Sequence, residues 1–383
     1  MFREMKERRR FKKTPVDERE VVFYAEHGGY FPNFEGLIRE LTQRHDKVVS
    51  YITSAAADPI LDAPPDGVRS FYMKDSLPLQ MAFIDCKVFV MTLTDLNQFH
   101  LKRSAHPVHY VYVFHSLVST HMMYRAGAFD HYDSVLCAGP HHVEEIRRRE
   151  EQQGLAHKQL VEAGYFRLER IRDRYREFGE RPSAAGRTTV LVAPSWGEDN
   201  IIESCGDRLV RMLLAHEYNV IVRPHPETRR KSPRLLDALE QEFQSADGFR
   251  LERSVATDDS LLEADVLVCD LSGVALEYAL GTERPVLFLD VPYKVKNPEF
   301  GALGIEPFEL RTRPEIGRLI SLDALDSVPD EVAALIERKD EYRERIARLR
   351  QECVFEPGRS AEVGARHILG LLEGRTKDRG QRT

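Results

Sequence analysis

The feature that most constrains the fold of this chain is the alternation of short, β-rich apolar runs with helical patterns along most of its length. Such alternation is typical of βα units, in which helices cover parallel sheets. The predicted strands are Val21–Ala25, Lys47–Thr53, Lys87–Leu93, His109–Phe114, Ser134–Ala138, Thr188–Ala193, Asn219–Arg223, Asp265–Cys269 and Pro285–Asp290. Helices of the second half are predicted near Arg208–His216, Pro233–Phe243, Ser260–Ala264, Ser272–Leu280, Glu331–Glu352 and Ser360–Glu373.

The predicted strands form two groups, which a charged stretch from Glu144 to Glu180 and the connection ERPSAAGR separate. The chain has 383 residues, enough for two domains at roughly 150 residues each. We therefore predict an α/β protein with two facing Rossmann-like domains and a ligand cleft between them. The expected limits are 1–18 for a basic N-terminal segment, 19–185 and 186–373 for the two domains, and 374–383 for a polar tail.

Charge and cysteine content exclude several classes of protein. The chain has 62 acidic and 55 basic residues, whereas a general nucleic-acid coat needs a dominant basic surface. We therefore expect no nucleic-acid partner. The five cysteines are odd in number, widely spaced and without a CxxC pair, which predicts reduced thiols and a cytoplasmic protein. No apolar stretch reaches the roughly 18 residues of a membrane-spanning helix.

Residues that directly follow strands are the first candidates for a site, because ligands of parallel sheets bind beyond the carboxyl ends of the strands. Arg223 and His225 stand in an RPHP turn after the run NVIV. The two prolines fix a cation and an imidazole at a strand end, which suits a diphosphate. The alternative is a stiff turn in which His225 caps the next helix.

A second candidate turn follows the strand DVLVC and begins at Asp270. Ser272 is placed as an N-cap, and Gly273 leaves the first N–H groups of the helix open to an anion. Glu277, on the same helix, is placed to accept hydrogen bonds from ribose hydroxyls. An ordinary capped helix with a solvated Glu277 is the alternative, but two anion-ready turns in one domain favour a phosphate site.

Three further strand ends carry candidate residues. Ser195 and Trp196 end the first strand of the second domain; the ring is predicted either to stack on a base and line the cleft or to be a core or rim aromatic. His115 follows HYVYVF and is the candidate general base, because its unperturbed pKa is close to working pH. The alternative is a hydrogen-bonded structural histidine. The glycines of His27-Gly28-Gly29 would allow an acceptor near the backbone, and a tight turn explains them equally well.

Other chemistries lack their motifs. The sequence contains no GxSxG elbow, no GxxxxGK[ST] phosphate loop, no HExxH pair and no convincing DxD-type metal site. The doublet His141-His142 lacks metal-ligand spacing and is predicted to begin a charged helix. We therefore expect neither a cofactor nor a metal, and catalysis that relies on cationic side chains and helix dipoles.

Taken together, four ordered segments resemble the CDP-glycerol glycerophosphotransferase family of teichoic-acid and capsule-type polymer synthesis, whose catalytic part has a GT-B fold. They are VLVAPSWG, NVIVRPHPE, ADVLVCDLSGVALEYALGTERPVLFLDVP and CVFEPGRSAEVGARHI. The resemblance implies that His115 is the base, that His225 is a second catalytic histidine, and that Asp270, Ser272 and Gly273 hold the donor phosphates, with Arg223 beside them. Residues 19–185 would then be the acceptor-side domain, with His27, Gly28 and Gly29, and residues 186–373 the nucleotide-donor domain, with Glu277, Ser195 and Trp196.

The implied reaction moves a glycerol phosphate, or a related polyol phosphate, from a CDP-activated donor to a hydroxyl of a cell-surface polymer or lipid-linked acceptor and releases CMP. The chain departs from the family pattern at Ser116, where glycine is usual, and at Ser272-Gly273 and Glu277, where members often carry two serines and a later aspartate. A glutamate at this place also resembles the ribose-binding glutamate of sugar-nucleotide GT-B enzymes. The alternatives are therefore a glycosyltransferase that uses a UDP- or CMP-sugar, a sugar-nucleotide epimerase, or a non-catalytic carbohydrate or membrane-surface adaptor.

The resemblance also suggests a function for the amino terminus. Residues 1–13 carry seven basic and two acidic side chains, and acceptors of such enzymes are commonly lipid-linked at the cytoplasmic face of the membrane. Phe2, Met5 and Phe11 among these cations predict an amphipathic contact with an anionic membrane surface. The protein would then be peripheral at the inner face of the cell membrane.

Overall fold

The chain folds into two compact units, each built around one parallel sheet. The structure, a computed structural model, describes residues 2–179, 186–197, 199–253 and 257–380. The first unit comprises Met1–His115, Thr120–Arg167 and Val354–Thr383, and the second Ser116–Ser119 and Leu168–Cys353. The predicted fold class, an α/β protein with two parallel-sheet domains, is confirmed.

The sheet of the first unit has seven strands in the order β3-β2-β1-β4-β5-β6-β7. The strands are β1 (Val21–Ala25), β2 (Val49–Thr53), β3 (Val68–Tyr72), β4 (Val88–Met91), β5 (His109–Val113), β6 (Ser134–Cys137) and β7 (Gln159–Glu162). The helices are α1 (Phe2–Lys13), α2 (Phe31–Arg39), α3 (Leu77–Ala82) and α4 (Pro140–Gln153). Strands β1, β2, β4 and β6 are buried at every position, as expected for a parallel sheet covered on both faces.

The sheet of the second unit has six strands in the order β10-β9-β8-β11-β12-β13. The strands are β8 (Thr189–Val192), β9 (Asn219–Val222), β10 (Phe249–Leu251), β11 (Val266–Cys269), β12 (Val286–Asp290) and β13 (Gly317–Ser321). The helices are α5 (Phe166–Phe178), α6 (Ile201–Ala215), α7 (Pro226–Lys231), α8 (Pro233–Phe243), α9 (Asp259–Glu263), α10 (Gly273–Thr282), α11 (Phe308–Ile316), α12 (Val328–Glu337) and α13 (Lys339–Cys353). This order is typical of Rossmann folds, and their ligands bind where it reverses, between β8 and β11.

The chain returns to the first unit through its last helix, α14 (Ser360–Gly380). Gly364 of α14 lies close to α2, since a Cβ there would come within 2.5 Å of Leu37 Cδ2. This close packing explains why the segment Val354–Thr383 belongs to the first unit.

Two of the predicted segments reach residues that are not described. The connection predicted around residue 185 includes 180–185, which lie outside the described residues. Of the predicted polar tail, 374–380 continues helix α14, and 381–383 also lie outside them. The domain limits therefore stay a prediction at these points.

Helix α1 packs on the first sheet instead of extending from it. Phe11 is 1% exposed, and its ring meets Phe71 of β3 edge-on at 5.2 Å between centroids. At the other end, the Glu4 carboxylate accepts hydrogen bonds from the backbone N–H groups of Asp75 and Ser76, at 3.3 and 2.8 Å. The prediction that Phe11 contacts lipid is therefore wrong, because its side chain is part of the protein core.

All five cysteines are free thiols, as predicted, and all five are buried. Within the described ranges, no helix is long and apolar enough to cross a membrane.

Candidate active site

The turns after β8 and β11 are joined at the point where the strand order of the second sheet reverses. Asp270, 1% exposed, follows β11, and its Oδ1 accepts a hydrogen bond of 2.6 Å from the backbone N–H of Ser195, which follows β8. Burial raises the pKa of the Asp270 carboxyl group. Asp270 therefore holds the backbones of the two turns together, which the sequence did not predict. Its predicted contact with the donor phosphates stays a prediction.

The start of α10 has the form expected of an anion site. Ser272 has the extended backbone of an N-cap (φ −124°, ψ 139°), and its side chain makes no capping bond within the described part of the chain. A Cβ at Gly273 would lie 2.6 Å from Ser116 Oγ. Ser119 holds that segment in the second unit through N–H and Oγ bonds of 2.7 and 2.9 Å to the Glu309 carboxylate. The first N–H groups of the helix and the Ser116 hydroxyl therefore lie together.

Glu277 lies on the buried side of α10 and is only 6% exposed. The alternative in which it is a solvated surface residue is therefore wrong. Its predicted contact with a ribose stays a prediction.

Arg223 is a buried residue that ties the RPHP turn to the interior of the second unit. It is 5% exposed, and its Nη1 donates to Ser260 Oγ at 2.8 Å and to the Thr257 carbonyl oxygen at 3.0 Å. Glu252 Oε2 lies 3.4 Å from the same nitrogen. These contacts account for the guanidinium position without a phosphate, and its contact with donor phosphates stays a prediction.

His225 caps helix α7, as the alternative interpretation of its turn expected. Its Nδ1 accepts a hydrogen bond of 3.1 Å from the backbone N–H of Glu227. Burial, with the nearby charges of Lys294 and Lys296, lowers the pKa of His225 to about 4. The ring is therefore neutral near pH 7, and because Nδ1 is an acceptor, its proton is on Nε2. His225 can donate one hydrogen bond to a ligand.

Sequence reasoning missed a group of lysines beside this histidine. Lys294 Nζ lies over the Trp196 ring and donates to the Trp196 carbonyl oxygen at 3.0 Å. Lys231 Nζ lies 4.0 Å from the centroid of the same ring, and the His225 ring is 6.1 Å from it. Burial, with the charges of Lys296 and Lys231, lowers the pKa of Lys294 to about 8. The signal that could have found this group is the run YKVK, directly after the predicted strand PVLFLD.

The first unit brings its two predicted histidines to one aromatic residue. The Tyr30 ring lies 5.3 Å from the half-buried ring of His115 and stacks on that of His27 at 4.4 Å. Tyr124 lies 6.1 Å from His115 on another side. Tyr30 and Tyr124 were not anticipated from the sequence, because neither follows a strand.

The glycines after His27 belong to a tight turn. His27 Nδ1 accepts from the backbone N–H of Gly29 at 3.1 Å and so caps the short 3₁₀ helix Gly28–Tyr30. A Cβ at Gly28 would lie 2.9 Å from Asp58 Oδ1. The turn thus explains both glycines, and their predicted contact with an acceptor stays a prediction.

The doublet His141-His142 begins α4, as predicted. His142 Nδ1 accepts from the backbone N–H of Ala138 at 3.2 Å, and its ring stacks on Phe114 at 3.6 Å. Among the described residues, no group of three or more His, Cys, Asp or Glu side chains could hold a metal ion.

Two parallel-sheet α/β units, with an open helix start at the strand reversal of the second, are the architecture of GT-B-like proteins. The model of the CDP-glycerol:poly(glycerophosphate) glycerophosphotransferase family matches residues 6–294. The chain therefore belongs to this family, which confirms the resemblance drawn from its motifs, and it is a glycerophosphotransferase-like enzyme.

Solved structures with the same fold include members of two enzyme classes. The wall teichoic acid polymerase TagF aligns with a TM-score of 0.63 and 16% identity over 97% of this chain and 95% of that one. A TagF variant soaked with CDPG aligns with a TM-score of 0.62 and 15% identity over 98% of this chain and 95% of that one. A putative UDP-N-acetylglucosamine 2-epimerase from Listeria monocytogenes aligns with a TM-score of 0.59 and 11% identity over 94% of this chain and 96% of that one. No curated protein sequence matches the chain significantly.

Proposed function

We propose that this protein uses a CDP-activated polyol phosphate, with glycerol phosphate as the first candidate, and transfers it to a hydroxyl of a cell-surface polymer or lipid-linked acceptor. The observation that carries the proposal is the strand reversal of the second unit, where an open helix start, a neutral histidine and two lysines surround the turns after β8, β9 and β11. These are groups that bind a diphosphate.

In the proposed reaction, His115 takes the proton of the acceptor hydroxyl. The hydroxyl oxygen then forms a bond to the distal phosphorus of the donor, the bond from that phosphorus to the bridging oxygen breaks, and CMP leaves with the electron pair. The backbone N–H groups at the start of α10, from Gly273 onward, and the Nε2–H of His225 stabilise the phosphate oxygens. Phosphoryl transfer depends mainly on such positioning and electrostatics.

The test is turnover of CDP-glycerol with a glycerophosphate-primed acceptor by His115→Gln and His225→Asn variants. Asparagine keeps a capping oxygen at position 225, so the variant tests the imidazole and not the turn. We expect each variant to lose on the order of 100-fold or more in kcat. The matched control is His106→Gln, which replaces an exposed histidine of the first unit. Activity near that of the wild type in both variants would refute the assignment.

The second candidate is a glycosyltransferase that uses a UDP- or CMP-sugar, and the buried Glu277 on α10 is the observation that favours it. A panel of donors separates the two. CMP release from CDP-glycerol only in the presence of acceptor supports polyol-phosphate transfer, and UDP release from a UDP-sugar supports glycosyl transfer. Tight nucleotide binding without turnover of any donor would support the adaptor alternative.

We also propose that the outer face of α1 contacts an anionic membrane, which would place the protein on the cytoplasmic face. Phe2 and Met5 are 87% and 43% exposed, and Lys6, Arg9 and Lys13 are exposed on the same helix. Apolar side chains beside cations fit an anionic lipid surface. Nearby, Glu4 bonds to the residues that lead into α3, and α3 adds exposed Leu79 while Phe83 follows its end.

Deletion of residues 1–13 is not a clean test of this contact, because it also removes the buried side chains of Glu4 and Phe11. We therefore compare Lys6→Glu/Arg9→Glu with a charge-matched control, Lys339→Glu/Arg348→Glu, at exposed positions of α13. Co-sedimentation with vesicles of phosphatidylglycerol and phosphatidylcholine should fall only in the first variant. Equal binding of both variants would count against the proposal.

A further inference from the structure

Three separate strand ends of the second unit bring the single tryptophan of the sequence together with two lysine side chains. Trp196 follows β8, Lys231 ends α7 after β9, and Lys294 follows β12. Lys294 Nζ lies over the indole ring and is fixed by a hydrogen bond of 3.0 Å to the Trp196 carbonyl oxygen. Lys231 Nζ lies 4.0 Å from the ring centroid. The indole ring therefore contacts two ammonium groups.

Two carboxylates of the described residues lie near these ammonium groups, and each accepts a hydrogen bond from another group. Glu227 Oε2 lies 2.7 Å from Arg230 Nη2 and 3.6 Å from Lys231 Nζ. Asp270 is buried, and its Oδ1 accepts from the Ser195 N–H group. Exposed Lys296 adds another positive charge from the loop of Lys294. Among the described residues, the cluster thus has more ammonium than carboxylate charge. The repulsion between its like charges is relieved when an anion binds.

We propose that Lys294 and Lys231 bind the diphosphate of the donor, and that Trp196 holds their ammonium groups in place until the donor arrives. This inference rests on the proposed function, since it takes a nucleoside diphosphate as the ligand. A cation–π contact at a partly exposed site is weaker than an ion pair with a phosphate oxygen. The ammonium groups therefore move from the indole ring to the phosphates when the donor binds.

The proposal gives Trp196 a different role from the stacking platform that the sequence suggested. Because two lysine ammonium groups lie over the ring, it makes cation–π contacts and does not stack on the nucleotide base. The two lysines supply the positive charge that neutral His225, and Arg223 with its interior contacts, do not bring to the site. Lys294 then determines specificity for a diphosphate over a single phosphate, because Lys294 and Lys231 together provide two ammonium groups to the ligand.

The proposal also predicts a pH dependence of donor binding. The charged groups around Lys294 are Lys296 of its own loop, Lys231 and Glu227 of α7, and Asp270 after β11. The pKa of Lys294 is about 8, so the unliganded protein loses this charge as the pH rises through that value. The KM for the donor should therefore rise above pH 8 in the wild type, and a Lys294→Met variant should show no such rise.

The experiment uses the intrinsic fluorescence of the full-length protein, which comes from Trp196 alone when excited selectively. Titration with CDP and with inorganic pyrophosphate should change the emission, because the ammonium groups leave the ring, and titration with cytidine should not. We expect Lys294→Met to weaken CDP binding by about 10-fold or more and Lys294→Arg to restore most of it. Lys339→Met, at an exposed position of α13, is the control and should bind as the wild type does. Circular dichroism shows whether each variant is folded.

The outcomes separate this inference from the proposed function. CDP binding by Lys294→Met that equals that of the wild type overturns the inference, even if CDP-glycerol is turned over normally. A Lys294-dependent response to CDP and pyrophosphate, without turnover of CDP-glycerol, supports the diphosphate site and refutes the transferase assignment. A fluorescence response to cytidine equal to that with CDP would show that Trp196 contacts the base, which also overturns the inference.

Discussion

The attachment of the last helix to the first sheet is sensitive to pH through one histidine. His367 of α14 and His109 of β5 each place Nε2 against Ser134 Oγ of β6, at 2.9 and 2.6 Å. Burial, with a smaller contribution from His109, lowers the pKa of His367 to about 4. Protonation of His367 should therefore weaken the packing of α14 on the first unit.

The size of the effect follows from the difference between folded and unfolded pKa values. The pKa of a histidine in an unfolded chain is 6.5, and each pH unit between the two values corresponds to ~1.4 kcal/mol. The full contribution is thus about 3 kcal/mol. Because the folded pKa is the lower one, this stability is present above pH 6.5 and is lost as the pH falls towards 4. About 2 kcal/mol of it should be lost between pH 7 and pH 5.

The assay is urea unfolding of wild type, His367→Gln and His106→Gln at both pH values. Between pH 7 and pH 5, the free energy of unfolding should fall by the same amount in the wild type and in the His106→Gln control. His367→Gln should lose about 2 kcal/mol less between the two pH values, whatever its stability at pH 7. Equal losses in the wild type and His367→Gln would refute the assignment of the titration to this residue.

Two further predictions concern the second unit. Gly273→Ala would place a Cβ 2.6 Å from Ser116 Oγ, and we expect it to lower kcat/KM for the donor about 10-fold. Adding Ser116→Gly should recover most of this loss. The control Gly301→Ala, whose Cβ would have nothing within 4 Å, should act as the wild type does. Arg350→Met removes a buried guanidinium that donates to the Leu280 carbonyl oxygen at 2.8 Å, so urea unfolding should show a loss of about 2–3 kcal/mol; a loss below ~0.5 kcal/mol would contradict this account.

The strands that the sequence predicted and those it missed differ in their place in the sheets. All nine predicted runs are strands, and in the described part of the chain the four missed strands are β3, β7, β10 and β13, the edges of the two sheets. An inner strand of a parallel sheet is buried on both faces and therefore apolar throughout. Edge strands are partly exposed, as in β7, where no residue is buried, so their sequences do not stand out from loops.

The residues of the candidate site also fall into those that the sequence predicted and those that it missed. The turns at His225 and Ser272 were predicted because capping and helix-start signals are local in sequence. Lys294 was missed, because only the parallel pairing of the strands brings the loop after β12 to the Trp196 ring. Phe11 was assigned to the wrong surface, because a basic amphipathic segment looks the same whether its apolar side faces lipid or β3.

The sequence alone determined the two-domain α/β fold, the family and the turns that bear the catalytic candidates, since these depend on short-range periodicity and on ordered motifs. The tertiary structure decided which polar groups are engaged within the protein and which are offered to a ligand. It assigned Arg223 and Asp270 to interior contacts, and it gathered Lys231 and Lys294 at Trp196. The physical reason is that hydrogen bonding and burial join residues distant in the chain, and no local pattern records those partners.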